Sequence, residues 1–112
     1  MTTAYQPQII NLSEEAKNVL NECHTFNYIK SSSNINEISP DLVTFTITII
    51  EENSVEVELS RNGYKILSAL PEIPQIGNVY ESIEMMLGQV SKEYLKVFNS
   101  HLFEKLSKLS SS

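Results

Sequence analysis

Apolar residues recur along this chain with two different periods. Leu12, Ala16, Val19, Leu20, Cys23 and Phe26 follow one another at helical steps and line one face, while Lys17, Asn18, Asn21 and Glu22 fall on the other. Asn11 and Glu14 have capping-box spacing, in which a side-chain oxygen accepts from the third helical amide and the glutamate reaches back. A helix is therefore predicted from near Ser13 to about Ile29. Residues 30–41, Lys-Ser-Ser-Ser-Asn-Ile-Asn-Glu-Ile-Ser-Pro-Asp, are rich in turn formers and read as a connector in which Pro40 ends any helical pattern.

From Leu42 the period falls to two. Val43, Phe45, Ile47 and Ile49 alternate with threonines, Val55, Val57 and Leu59 alternate with Glu56 and Glu58, and Asn62-Gly63 supplies a hairpin turn before Tyr64 to Ala69. Leu70 to Gly77, with Pro71 and Pro74, reads as a crossing loop. Asn78 to Glu81 repeats the capping-box spacing and predicts a helix that buries Ile83, Met86, Leu87 and Val90, with Gly88 weakening its end. Ser91 can cap a last helix. The expected fold is α+β: an N-terminal helix, a three-stranded antiparallel β-meander and two C-terminal helices packed on one face of the sheet. It forms one domain over residues 12–109, between a flexible N-terminus at 1–11 and a flexible tail at 110–112.

The last helix has two apolar halves. At about 100° per residue, Tyr94, Leu95, Val97 and Phe98 fill an arc roughly 100° away from that of Leu102, Phe103, Leu106 and Leu109. The first arc is placed to pack on the sheet, with Phe98 at the handover, and the second is left to protrude. On pattern alone the second arc could be buried by curvature of the helix, enter the groove of a partner, or pair with another copy.

The 112 residues support one core, and a formal charge of −6 without a basic cluster makes nucleic acid and anionic membrane poor partners. The lone Cys23 cannot form an internal disulfide, and no stretch has the character of a secretion signal or a membrane span. A soluble, cytoplasmic monomer is expected. His24 and His101 fall on different helices without a metal-binding motif, and there is no Gly-rich phosphate loop, so no metal, cofactor or catalytic residue is assigned. Glu51, Glu52, Glu56 and Glu58 gather carboxylates near the first hairpin; they read as a solvated edge before they read as acid/base machinery. Cys23, in the apolar stripe of the first helix, reads as a small core residue.

The stretch Val55 to Leu109 resembles the GSKIP domain, the family named for the glycogen synthase kinase-3 interacting protein. The resemblance is carried by Val55-Glu-Val-Glu-Leu-Ser-Arg-Asn-Gly63 with Tyr64-Lys-Ile-Leu, by Glu81-Ser-Ile83, Met86-Leu87, Ser91 and Tyr94, and most specifically by Phe98-Asn-Ser-His-Leu102-Phe103-Glu-Lys105-Leu106-Ser-Lys-Leu109. The match around Ala16 to Glu22 is weaker. The last helix is also similar to the kinase-binding helix of axin. The resemblance implies a non-enzymatic adaptor whose amphipathic C-terminal helix lies in a hydrophobic groove on the kinase and scaffolds or inhibits it. The residues carried over are Phe98, Leu102, Phe103, Lys105, Leu106 and Leu109, with Phe103 standing where an aliphatic residue is usual and Lys92 where a proline is. Some family members also anchor the protein kinase A regulatory subunit through the first helix; the matching segment here, Val19 to Ile29, is interrupted by polar residues. The domain also occurs inside larger proteins of the clustered mitochondria family, and a chain of this length starting at Met1 resembles the stand-alone form.

Overall fold

The computed structural model describes residues 11–110 and the side chains of 11–107. Of the ends expected to be flexible, 1–11 and 110–112, residues 1–10 and 111–112 lie outside the described residues. The Asn11 side chain accepts the Glu14 amide at 3.1 Å, the predicted cap, and opens α1 (Leu12–Thr25). The helix buries Leu12, Ala16, Leu20 and Cys23. It stops one turn before the expected end because Asn27 turns left-handed at φ 60°, and the Tyr28 amide reaches back to the Cys23 carbonyl at 2.8 Å.

Past that stop the expected connector is a pair of short strands, β1 (Ile29–Ser32) and β2 (Asn36–Ser39), both antiparallel to β3 (Leu42–Ile49) along its outer edge. The expected meander follows as β3, β4 (Ser54–Ser60) and β5 (Gly63–Leu70). Beyond it, Val79–Tyr80 forms β6 against Tyr64 and Lys65 of β5. The three-stranded sheet predicted from the sequence is thus six-stranded, ordered β1-β3-β4-β5-β6 with β2 beside β3. The β1/β2 edge was hidden by polar composition: of these two strands only Ile29 is buried. At the other edge, the capping-box spacing of Asn78 misplaced the helix start. Ser82 is the cap, its hydroxyl accepting the Met85 amide at 3.1 Å, and α2 runs Ile83–Val90.

The period-two pattern sends Val43, Phe45, Ile47, Ile49, Val55, Val57, Leu59, Tyr64 and Ile66 to one face, where they join the buried residues of α1 and Ile83, Met86 and Leu87 of α2 in a single core. A bulge opposite Glu56 and Val57 shifts the inward phase of β5 by one residue: Tyr64 and Ile66 face the core before it, and after it Ser68 turns outward onto Glu56 at 3.0 Å while Ala69 packs against the core. Gly63, at φ +121°, passes so near β6 that a Cβ there would run into the Tyr80 carbonyl. The last helix, α3, spans Lys92–Ser110. Among the described residues its contribution to the core is confined to its first two turns, through Tyr94 and the partly buried Val97. The expectation that both C-terminal helices lie against the sheet is corrected for the rest of α3.

Candidate functional site: the exposed face of the last helix

The start of α3 is fixed by a carboxylate from another part of the fold. Ser91, almost fully buried, accepts the Tyr94 amide at 3.0 Å and donates its hydroxyl to Glu51 Oε1 at 2.8 Å; Glu51 Oε2 accepts the Glu93 amide at 2.9 Å. Glu51 belongs to the β3–β4 turn, where Glu52 takes a positive φ of 73°. Partial burial pushes the Glu51 carboxyl upward, but hydrogen bonds from the Glu93 amide and the Ser91 hydroxyl outweigh it and hold the group below its ordinary range. A carboxylate there also faces the positive end of the helix dipole. The acidic hairpin is therefore largely structural: Glu51 caps α3, Glu52 pairs with Lys30 at 3.2 Å, and Glu56 accepts from Ser68.

One side of α3 is held by aromatic packing. The Tyr94 ring meets Tyr28 edge-on at 4.9 Å, Phe98 stacks on Tyr94 at 5.8 Å, and His101 lies 5.4 Å from Phe26 and 5.8 Å from Tyr28. Burial, with Tyr28 alongside, pushes the Tyr94 hydroxyl up to about 12. His101 Nδ1 is sealed without a hydrogen-bond partner among the described residues. Tyr94, Val97 and His101 thus form the inward side of the helix.

The other side is open. Leu102 is 46% exposed, Phe103 71% and Leu106 56%, while Phe98 is 38% exposed despite its stacking. Lys105 is exposed, and the Leu109 side chain lies outside the described residues. The structure therefore puts Phe98, Leu102 and Leu106 on one outward face, with Phe103 to one side and Lys105 to the other. Leu95 departs from its expected place: it is 44% exposed, not packed with Tyr94. The first arc straddles the boundary between core and surface, and only Tyr94 and Val97 fall inside it. Four of the chain's eight basic residues, Lys92, Lys96, Lys105 and Lys108, also lie on this helix of an otherwise acidic chain.

The first helix offers no comparable face. Its apolar residues Leu12, Ala16, Leu20 and Cys23 are buried, Val19 is half-buried, and the segment Val19 to Ile29 leaves the helix after Thr25. Burial first, then the carboxylates of Glu84 and Glu22, pushes the Cys23 thiol up to about 12. Among the described residues, no three or more His, Cys, Asp and Glu side chains gather to hold a metal ion, and no helix is long and apolar enough to cross a membrane.

The sequence signature of the GSKIP domain matches residues 12–109, nearly the whole chain. This chain belongs to the GSKIP domain family. No curated protein matches it in a sequence search. The matched span of this GSKIP domain takes in every element from α1 to the exposed end of α3.

Proposed function

We propose that this GSKIP domain is a non-enzymatic, monomeric adaptor that binds glycogen synthase kinase-3 in the cytoplasm through the outward face of α3, scaffolding or inhibiting the kinase. The observation that carries the reading is the exposure of Leu102 and Leu106, with Phe98 and Phe103 beside them, where α3 runs on past the turns that pack through Tyr94, Val97 and His101. Large aliphatic and aromatic side chains left in water at helical spacing suit an apolar groove, and Lys105 at the flank can meet a carboxylate at its rim. Leu109 extends the same stripe by sequence. Membership of the GSKIP domain family supports the choice of glycogen synthase kinase-3 as the partner.

The test is Leu106→Glu. The side chain is exposed, so the variant keeps the circular dichroism spectrum and melting temperature of the wild type and loses capture by the purified kinase. A folded variant captured as well as the wild type contradicts the reading. Sedimentation of wild type beside Leu102→Asp addresses self-association: a concentration-dependent dimer lost in the variant would assign the same face to a second copy.

A further inference from the structure

The apolar face of α3 does not begin at Phe98. Residues seven and eleven apart on a helix differ by about 20° around its axis, so Leu95 lies in line with Leu102 and Leu106. Beside Leu95 the surface is concave: a hollow of about 430 Å³ is lined by Tyr80 of β6, by Met85, Gly88 and Gln89 of α2, and by Leu95 itself. Met85 is 53% exposed at its edge. Gly88 leaves the hollow open, because a Cβ built there would meet nothing nearer than Leu95 Cδ2 at 3.8 Å, an ordinary contact. The position lies within a helix, where glycine is among the weakest formers, and packing does not demand it. The absence of a side chain leaves room for one from outside.

We infer that this hollow is the N-terminal end of the docking face: the kinase that takes the α3 stripe seats an apolar side chain between Met85 and Leu95, over Gly88. Leu95 carries the continuity, since it is at once a wall of the hollow and the first member of the Leu95, Leu102, Leu106 line. The inference rests on the reading of α3 given above. It extends the contact from one helix to the α2–β6 surface, which a free helical peptide would lack.

Binding of the full chain to the purified kinase is measured for wild type, Gly88→Met, Met85→Glu and Leu106→Glu, each checked for folding by thermal unfolding. Gly88→Met fills the hollow while replacing a poor helix former by a good one, so the fold is kept; its affinity and that of Met85→Glu are expected to fall by about ten-fold or more. If Leu106→Glu abolishes binding while both hollow variants stay within about two-fold of wild type, the inference is overturned and the α3 reading stands. If Leu106→Glu binds like wild type, the α3 reading fails and the continuation goes with it. A dimer that Gly88→Met dissolves while kinase binding is unchanged would give the hollow to a second copy, which also overturns the assignment.

Discussion

Ser91 donates its hydroxyl to the Glu51 carboxylate across 2.8 Å, joining the start of the last helix to a turn forty residues earlier. The same carboxylate accepts the Glu93 amide, so the direction in which α3 leaves the core is set by a β-hairpin. The helix is held at its root, and Glu51 and the Tyr28–Tyr94 contact are among its fastenings.

Glu51→Gln should weaken the fold by about 1 kcal/mol near neutral pH, the usual scale of a lost cap. The sign with pH follows from the lowered carboxyl. Its contribution is complete above the ordinary glutamate value of 4.5 and is lost as pH falls through the still lower value in the folded protein. Urea unfolding of wild type and variant should therefore show a gap near neutrality that closes in acid.

Gly63→Ala should cost about 2 kcal/mol or more, because the left-handed φ and the approach of the Tyr80 carbonyl act together. Thermal unfolding would show a drop of several degrees. Kinase binding by the fraction still folded should not change.

Cys23 should resist thiol reagents in the folded protein. Its thiol is buried and pushed up to about 12, so little thiolate exists near neutral pH. Labelling with iodoacetamide should proceed at the rate of unfolding and accelerate with urea; fast labelling of native protein would refute the assignment.

Tyr94 and Leu106 should separate stability from surface. Tyr94→Ala removes a buried ring packed on Tyr28 and should destabilise by about 3 kcal/mol or more, whereas Leu106→Ala should stay within about 0.5 kcal/mol of wild type. Denaturant titration of the two variants side by side makes the comparison.

The sequence showed most clearly the parts of this fold that have one dominant local signal. Strict alternation from Val43 to Leu59, the Asn62-Gly63 turn and the Asn11 cap each name their element, and each is where it was expected. The edge strands β1 and β2 were not legible, since a short polar strand owes its existence to the hydrogen-bonding edge of its neighbour, and the two-residue β6 was masked by the capping-box spacing of Asn78 and Glu81. The cap supplied by Glu51 was hidden for a similar reason: a partner forty residues away leaves no mark on local spacing. On α3 the helical repeat identified Leu102, Phe103 and Leu106, which the structure leaves exposed. It could not show that the aromatic contacts of Tyr28 rotate Leu95 outward, because the angular position of the core is a tertiary fact.

The proposed binding of glycogen synthase kinase-3 by α3, with Leu106 as an anchor, is tested by titration calorimetry of the kinase with wild type and Leu106→Ala. Burial of one large aliphatic side chain, worth about 1.5–3 kcal/mol, predicts a variant that folds normally and binds roughly ten-fold to over a hundred-fold more weakly. Equal affinities for two equally folded proteins would contradict it.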